Sequence, residues 1–191
     1  MTIRDQKNEI RENIFKKRET LSDNYYESAS KAIYENLFEL DVVKEAKTVF
    51  IYRSMGKELN TQPLIDFALE NGKRVALPRV VSLKEGMRAH EYNAGDELEK
   101  SKYGAEEPLA DSPVVTASEM DLIIMPCVTC NNRGERIGYG GAFYDRFLRE
   151  FNGVTVLPYF HELQTFEIPM EEHDMKMNYV ITEDSVVKIL K

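Results

Sequence analysis

The sequence predicts an α/β protein built on a largely parallel β-sheet. Three observations indicate this class: short apolar segments are typical of buried strands, helix-like segments alternate with them, and Asn-Gly or Pro marks many of the junctions. Asn71-Gly72 and Asn152-Gly153 each precede an apolar run that ends in proline, at Pro78 and Pro158. Such alternation is typical of βαβ units, whose strands run parallel. In these sheets ligands bind beyond the carboxyl ends of the strands.

The individual elements follow from hydrophobic periodicity and from capping residues. The predicted helices are residues 2–20, residues 22–40, one that Asn60-Thr61 caps and Asn71-Gly72 ends, one from Tyr144 to Phe151, and one at the C-terminus. The predicted strands are residues 47–52, 73–78, 120–126, 154–158 and 178–182. Pro63 suits the first turn of its helix. Residues 80–113 fit either an extra hairpin or a substrate-covering loop.

Size and composition limit the function classes. A chain of 191 residues is most simply one domain over residues 1–191, and it is large enough to form a core without disulfides. Its formal net charge of −8 argues against a general nucleic-acid or anionic-membrane binder. The polar N-terminus is unlike a signal peptide, and no apolar run approaches the length of a membrane span. We therefore expect a cytoplasmic protein that binds neither nucleic acid nor membrane, as a monomer or weak homodimer.

A glycine-rich segment, residues 133–146, is the most informative motif. It holds four of the ten glycines and three arginines, Arg133, Arg136 and Arg146, between an apolar strand and the predicted helix. Glycines let the backbone approach a ligand, helix N-termini attract anions, and arginine is a forked donor to phosphate. The spacing matches neither a Walker A loop nor a dinucleotide fingerprint. It predicts a phosphate-binding loop, although a glycine-rich corner without a ligand gives the same pattern.

The first helix carries a second basic element. On a helical wheel Lys7, Arg11 and Arg18 share one narrow face, and Ile10 and Ile14 lie beside them. Burying these cations unpaired would be costly, so we expect them to extend to solvent or to meet anions. An internal carboxylate and a bound phosphate satisfy this pattern equally well.

Other polar residues are weaker candidates when taken singly. Glu58 follows the first strand, Asp145 opens the helix after the glycine-rich segment, and Asp174 lies in a polar stretch near the end of the chain. A surface or helix-capping role is the alternative for each, but Asp145 and Asp174 together would suit Mg²⁺ beside nucleotide phosphates. The only cysteines, Cys127 and Cys130, form a single pair, so we expect reduced structural thiols rather than a redox or zinc site.

Taken in order, these motifs resemble those of the 5-formyltetrahydrofolate cyclo-ligase family, also called 5,10-methenyltetrahydrofolate synthetases. The resemblance covers nearly the whole chain. The segments that carry it are Lys7 to Arg11 with Arg18, residues 52–61, residues 73–78, Tyr103 to Pro108, Asp121 to Pro126, Gly134 to Arg146, and Ile168-Pro169 with His173-Asp174. The glycine-rich segment is the most specific of these motifs.

The resemblance implies a three-layer α/β/α sandwich with a mostly parallel, Rossmann-like central sheet. It also implies an ATP- and Mg²⁺-dependent ligase that converts 5-formyltetrahydrofolate to 5,10-methenyltetrahydrofolate and releases ADP and phosphate. The implied intermediate is a phosphorylated formyl group, an imino-phosphate. Phosphoryl transfer of this kind depends on positioning and charge neutralisation more than on covalent chemistry from the protein.

The resemblance also implies roles for individual residues. The ATP-binding residues would be Lys7, Arg11, Arg136, Ile137, Gly138, Tyr139, Gly140, Gly141, Ala142, Phe143 and Tyr144. The catalytic residues would be Lys7, Arg136 and Tyr144. The folate contacts would be Arg53, Glu58 and Tyr103, and the Mg²⁺ ligands would be Asp145 and Asp174. In this assignment Glu58 hydrogen-bonds the pterin ring and Tyr103 stacks on an aromatic part of the folate.

Several positions depart from the family pattern. Ala142-Phe143 stands where Gly-Tyr is usual, Arg53 where an apolar residue is common, and Asn131 and Asn178 where aspartate is frequent. Two alternatives therefore stay open: a related nucleotide-dependent enzyme that acts on another metabolite, and a non-catalytic protein that binds reduced folate. A phosphosugar-isomerase-like activity on a similar fold is a more distant alternative, since fold does not fix function.

Overall fold

A computed structural model describes residues 2–190 of the chain. Its α-helices are α1 (Ile3–Thr20), α2 (Asp23–Glu39), α3 (Asp41–Glu45), α4 (Gln62–Glu70) and α5 (Phe143–Phe147). Its strands are β1 (Thr48–Ile51), β2 (Arg74–Ser82), β3 (Gly86–Tyr92), β4 (Leu98–Lys100), β5 (Glu106–Pro108), β6 (Val114–Val115), β7 (Leu122–Ile124), β8 (Thr129–Cys130), β9 (Arg136–Ile137), β10 (Val154–Pro158), β11 (Tyr179–Ile181) and β12 (Val186–Lys188). Short 3₁₀ turns lie at Ala117–Glu119, Leu148–Glu150 and His161–Leu163.

Eight strands form the main sheet in the order β12-β11-β10-β7-β1-β2-β3-β6. The five strands from β11 to β2 are parallel to their neighbours, with Val49 opposite Leu122 and Phe50 opposite Ala76. Antiparallel strands close the two edges, β12 on one side and the β2-β3-β6 meander on the other. The predicted α/β class with a mostly parallel central sheet is confirmed.

Helices cover both faces of this sheet. Val49 and Ile51 of β1 line one apolar cavity together with Leu37 of α2 and Leu64 of α4. Side chains alternate along a strand, so Phe50 lies on the opposite face, where its ring stacks on Phe147 at the end of α5 with centroids 5.2 Å apart. The sheet is therefore the middle of three layers. Its buried residues belong to one contiguous core, while the organisation as one domain over residues 1–191 stays a prediction.

The first helix does not belong to either layer, because it crosses the carboxyl ends of the parallel strands. Thr2 begins it with a capping box, in which its hydroxyl accepts from the Asp5 N–H. Near its C-terminus Arg18 contacts the chain just after β7, and Lys17 contacts Glu162 just after β10. Lys57, in the loop after β1, forms a salt bridge with Glu19. The helix thus lies at the sheet edge where ligands bind in such folds.

Two sequence predictions about helices were wrong. Residues 186–188 form strand β12, antiparallel to β11, where a C-terminal helix was expected. The consecutive β-branched residues Val186 and Val187 favour this strand. The helix after the glycine-rich segment is only five residues long and continues as a 3₁₀ turn, so it offers little dipole to an anion. Its apolar stripe does pack as expected, since Leu148 and Phe151 are buried.

Three smaller differences concern loops. Residues 80–113 hold the β2-β3 hairpin and the β4-β5 pair, so the predicted extra hairpin is present, while a substrate-covering role for this segment stays a prediction. The β8-β9 hairpin separates β7 from residues 138–142, the glycine-rich loop, which therefore does not follow β7 directly. At the start of α4 the Asn60 side chain accepts from the Gln62 N–H, whereas the Thr61 hydroxyl accepts from the Ser54 N–H.

No helix within residues 2–190 combines the length and apolarity that a membrane span requires.

Candidate active site

Two loops leave the sheet side by side at the centre of the candidate site. Ile51 and Ile124 are paired in register, so the chain after β1 and the chain after β7 both begin at the same edge. Both loops therefore begin at the carboxyl ends of parallel strands, where ligands bind in such sheets. The first loop carries Arg53 and Glu58, and the second leads through β8 and β9 to the glycine-rich loop, with α1 lying across both.

Arg11 connects α1 to the glycine-rich loop. Its Nε donates to the Gly138 carbonyl over 2.7 Å, and one terminal nitrogen donates to the Asn8 side chain over 2.6 Å. Gly140 adopts a left-handed φ of 98°, and a Cβ there would lie 3.8 Å from the Arg11 guanidinium carbon. The loop backbone and the first helix are therefore in direct contact.

Lys7 meets carboxylates rather than solvent. It is buried, and its Nζ lies 2.5 Å from Asp174 and 2.9 Å from Glu171. Burial disfavours the charge of Lys7, but the hydrogen bonds to Asp174 and Glu171 outweigh it and raise the pKa of Lys7. Burial likewise opposes the charge of Asp174, yet hydrogen bonds from the Glu171 N–H and from Lys7 lower the pKa of Asp174. The sequence allowed either an internal carboxylate or a bound phosphate as the partner of Lys7, and the structure shows two carboxylates beside it.

Arg136 is held in a second ion pair. It lies in β9 with only 6% of its surface exposed, and a terminal nitrogen donates to Asp145 over 2.5 Å. Its Nε is buried and has no hydrogen-bond partner within the described residues. A buried guanidinium with a free donor is a costly arrangement, and it suits a group that binds an additional oxygen ligand.

The two predicted Mg²⁺ ligands, Asp145 and Asp174, each have a cation beside them, Arg136 and Lys7 respectively. Within residues 2–190, the group whose ligand atoms lie within 4.8 Å of one another consists of Glu171, His173 and Asp174, without Asp145. The chemistry of the donor set still fits Mg²⁺, since both carboxylates lie among cations suited to phosphate. Their joint role as ligands stays a prediction.

Glu58 and Tyr139, which the sequence assigned to folate and to ATP respectively, are in contact. The Tyr139 hydroxyl donates to Oε1 of Glu58 and accepts from Arg18 over 3.3 Å, while the Met55 N–H donates to Oε2 over 2.7 Å. Burial raises the pKa of Glu58, and these hydrogen bonds and the charge of Arg18 counteract part of the rise. The residues assigned to ATP and those assigned to folate are therefore neighbours in the structure.

An aromatic contact joins the other predicted folate residue to the same loop. Tyr103, which is 42% exposed, meets Phe143 edge to face with ring centroids 5.8 Å apart. Lys102 lies over the Tyr103 ring and Arg146 over the Phe143 ring, at 5.1 Å and 5.4 Å from the centroids. The Arg53 guanidinium bonds Gln62 and Glu106, and Glu106 lies in β5 three residues after Tyr103, so the contact of Arg53 with folate stays a prediction.

The residues that depart from the family pattern have clear structural consequences. Ala142 adopts a left-handed φ of 52° and is the one such non-glycine residue among those described. Glycine tolerates this conformation without the clash that the alanine Cβ causes, so Ala142 is strained. Asn131 accepts from the Arg133 and Glu135 N–H groups and so organises a turn. Asn178 accepts from the N–H and the hydroxyl of Thr155, so it links the start of β11 to β10.

Two further predictions concern Tyr144 and the cysteines. The Tyr144 ring lies 6.1 Å from Phe50, and burial raises the pKa of its hydroxyl, as does the negative charge of nearby Glu58. Cys127 and Cys130 are both free and buried. Burial also raises the pKa of the Cys127 thiol well above its usual value, which disfavours the reactive thiolate. The expectation of reduced structural thiols is in accord with this arrangement.

Sequence reasoning missed Glu171 and the Phe143–Tyr103 contact. Glu171 had a signal, because it stands three residues before Asp174 in a densely charged stretch. The contact between Phe143 and Tyr103 had none, because their separation of 40 positions carries no periodic pattern.

The sequences of known proteins match this one over most of the chain. A family model described as the 5-formyltetrahydrofolate cyclo-ligase family matches residues 3–183. A 5-formyltetrahydrofolate cyclo-ligase of Escherichia coli K12 is 36% identical over 146 residues, 74% of this chain and 80% of that protein. One from Mycolicibacterium smegmatis is 29% identical over 183 residues, 92% of this chain and 93% of that protein.

The fold has matching solved structures as well. The structure of 5,10-methenyltetrahydrofolate synthetase from Aquifex aeolicus superimposes with a TM-score of 0.85 and 25% identity, covering 97% of this chain and 93% of that one. A Mycoplasma pneumoniae structure at 18% identity and a TM-score of 0.75 shows the same fold. The family model spans nearly the whole chain, and the relatives match it along most of their own length. This chain belongs to the 5-formyltetrahydrofolate cyclo-ligase family.

Proposed function

We propose that this protein is an ATP- and Mg²⁺-dependent ligase that cyclises 5-formyltetrahydrofolate to 5,10-methenyltetrahydrofolate and releases ADP and phosphate. The observation that carries the proposal is the meeting of two sets of residues at the carboxyl edge of the sheet. Cations from α1 and β9 surround the glycine-rich loop, and the same loop contacts Glu58 and Tyr103 through Tyr139 and Phe143. A reaction between a nucleotide phosphate and a second substrate requires such adjacency.

The proposed chemistry has two steps. The formyl oxygen of the folate attacks the γ-phosphorus of ATP and ADP leaves, which produces an imino-phosphate. The folate N10 then attacks the activated formyl carbon, N10 loses its proton, and phosphate leaves as the ring closes. The substrate therefore supplies its own nucleophile, and the protein is needed for positioning and for charge neutralisation.

The roles of the chain's own residues follow from their chemistry. Lys7, Arg11 and Arg136 hold the phosphate oxygens, where their positive charges offset the charge that develops during transfer. Asp145 and Asp174 would hold Mg²⁺, which supplies further neutralisation of the phosphates when it is bound. Glu58 accepts hydrogen bonds from the pterin ring, and Tyr103 provides an aromatic surface for the folate. The Tyr144 ring packs near the buried Phe50, which holds it in place at the start of α5, and the tyrosine takes part in the reaction beside Arg136.

The experiment is to supply purified protein with 5-formyltetrahydrofolate and Mg·ATP and to follow the methenyl-folate chromophore by absorbance. We expect a rise in absorbance that requires ATP. Glu58→Gln preserves the size of the side chain and should raise the KM for the folate roughly tenfold without changing the KM for ATP. No chromophore from the wild-type protein would contradict the proposed reaction, and folate binding without release of ADP would favour a non-catalytic binding protein.

The cytoplasmic location and the monomeric or weakly dimeric state belong to this proposal. Cell fractionation and sedimentation of the purified chain test them independently of activity.

A further inference from the structure

Arg18 is a buried cation that is linked to Glu58 through the hydroxyl of Tyr139. Only 6% of its surface is exposed, and one terminal nitrogen donates to the carbonyls of Cys127 and Val128, each over 3.0 Å. The other terminal nitrogen donates to the Tyr139 hydroxyl over 3.3 Å. Its hydrogen bonds therefore go to two carbonyls and a phenol, not to a carboxylate. The two carbonyls fix one terminal nitrogen of the guanidinium after the end of β7, and the planar group then directs the other terminal nitrogen towards Tyr139.

Tyr139 extends this arrangement to Glu58. Its hydroxyl accepts from Arg18 and donates to Oε1 of Glu58, while the Met55 N–H holds Oε2. A hydroxyl that accepts from a guanidinium becomes a stronger donor, because hydrogen bonds in a chain polarise one another. Both carboxylate oxygens are thus held from opposite sides. Phe15 supports the chain of contacts, since Arg18 lies 5.5 Å from the centroid of its ring and the Tyr139 ring lies 6.3 Å away.

A purely structural role for Arg18 explains only part of this geometry. Helix α1 could be fixed to the Cys127 and Val128 carbonyls by any single donor of suitable length. A guanidinium is needed only if a third acceptor matters, because its planar fork serves several acceptors at fixed angles. Burial of a full positive charge is also costly unless a negative group lies near. Glu58 is such a group, and the charge of Arg18 acts to lower its pKa.

We infer that Arg18 is a positioning residue for Glu58 and acts through the hydroxyl of Tyr139. The inference rests on the proposed function only where it takes Glu58 to bind the folate. Arg18 does not touch the folate itself. It keeps the Glu58 carboxylate ionised and fixed, in the form that accepts hydrogen bonds from a ring N–H.

The direct test measures Glu58 without any ligand. The protein is labelled with ¹³C-glutamate, Glu58→Gln identifies the Glu58 carboxyl signal, and the signal is titrated against pH. The ionisable groups that face Glu58 are Arg18, Tyr139, Tyr52 and Tyr144, and Lys57, Cys127 and Tyr159 line the same cleft. The tyrosines and Cys127, whose pKa values burial raises, stay neutral in the acidic range of the titration.

Arg18→Met keeps the aliphatic stem of the side chain, and Tyr139→Phe keeps the ring. We expect each to move the Glu58 midpoint to higher pH, and the double variant to move it no further than the larger single shift, because the residues act in series. An unchanged midpoint in Tyr139→Phe, or additive shifts in the double variant, would overturn the inference. Should Arg18→Met fail to fold, Arg18→Lys keeps the charge and loses the fork. It should also raise the midpoint, and an unchanged midpoint there would equally overturn the inference.

The second readout uses 5-formyltetrahydrofolate and separates this inference from the proposed function. Arg18→Met should raise the KM for the folate about tenfold, the loss expected for one charge-assisted hydrogen bond, and raise the KM for ATP far less. Equal losses for both substrates would indicate a structural role for Arg18 and overturn the inference. If the wild-type protein does not bind the folate, the proposed function fails, whereas the ligand-free titration still decides the role of Arg18.

Discussion

The two parts of the candidate site stabilise their polar groups in different ways. The ion-paired cluster, Lys7, Glu171, Asp174, Arg136 and Asp145, matches each cation with a carboxylate. The aromatic cluster, Glu58, Tyr103, Tyr139 and Phe143, covers its one carboxylate with a phenol and a backbone N–H and is otherwise held by ring contacts.

This difference indicates two kinds of preorganisation. In the ion-paired cluster the carboxylates hold the cations charged and in place, and phosphate oxygens would compete with them for the same donors. In the aromatic cluster the position of each ring sets the shape available to a ligand. Charge substitutions should therefore act mainly on the first cluster, and changes of backbone geometry on the second.

The largest effect is expected at Arg136. Arg136→Met keeps the length of the side chain but removes the donors, and we expect the ATP-dependent kcat/KM to fall roughly a hundredfold or more, as for the loss of one donor to a charged transition state. The measurement is the initial rate of the chromophore assay across ATP concentrations. The folate KM should change far less, because Glu58 and Tyr103 do not contact Arg136 in any of the described hydrogen bonds.

Asp145→Asn is the matched control for this pair. It leaves the Arg136 fork in place but removes its counter-charge and one proposed Mg²⁺ ligand. We expect a higher Mg²⁺ requirement, with activity partly recovered at high Mg²⁺ concentration. If Asp145→Asn kept the wild-type Mg²⁺ dependence, Asp145 would not be a metal ligand, although Arg136 could still bind phosphate.

A smaller effect, on stability, is expected at Lys7 and Asp174. The pKa of Asp174 is lowered in the folded state, so its contribution to the free energy of unfolding is present above the ordinary value near 3.8 and is lost as the pH falls through the lower folded value. Asp174→Asn should reduce the free energy of unfolding at pH 7 by about 2 kcal/mol, since it leaves Lys7 less well paired. Urea denaturation between pH 7 and pH 3 measures this difference, which should narrow at the acidic end.

Glu39→Gln provides the control on a solvent-exposed pair. Glu39 forms a salt bridge with Lys44 over 2.8 Å, but 82% of its side chain is exposed. Exposed pairs contribute little, so this variant should unfold almost like the wild-type protein at every pH. A pH-independent difference for Asp174→Asn would mean that packing, rather than the charge of Asp174, accounts for its effect.

The sequence predicted the ion-paired cluster better than the aromatic one, for a physical reason. Helical periodicity placed Lys7, Arg11 and Arg18 on one face beside apolar residues, and Lys7 and Arg18 are buried there, although extension to solvent was equally open from the sequence. The central strands were likewise predictable, because continuous apolar runs have few alternatives. The residues that neutralise the cations could not be selected among the many acidic side chains of the sequence, since loop geometry decides which of them lie near.

The failures have the same origin. Whether residues 186–188 form a strand depends on an open edge at β11, which only the assembled sheet provides. The contact between Phe143 and Tyr103 depends on the β4-β5 pair approaching the glycine-rich loop, and no local pattern encodes that approach. The short α5 shows that an apolar stripe predicts packing more reliably than helix length.

The smallest expected effect tests the link between the two clusters, at Ala142. This residue joins the glycine-rich loop to Phe143 and is held at a φ of 52°. Ala142→Gly removes the steric strain of about 1–2 kcal/mol but adds about 0.5–1 kcal/mol of backbone entropy cost, so we expect a net gain of roughly 0.5–1 kcal/mol in the free energy of unfolding. Gly56→Ala is the reverse change at nearly the same φ, 54°, with no atom within 4 Å of the new Cβ. It should lose a similar amount, and thermal unfolding measures both. A destabilised Ala142→Gly beside a destabilised Gly56→Ala would mean that the Ala142 methyl makes a favourable contact, and the loop between the clusters would then be held by packing rather than strained.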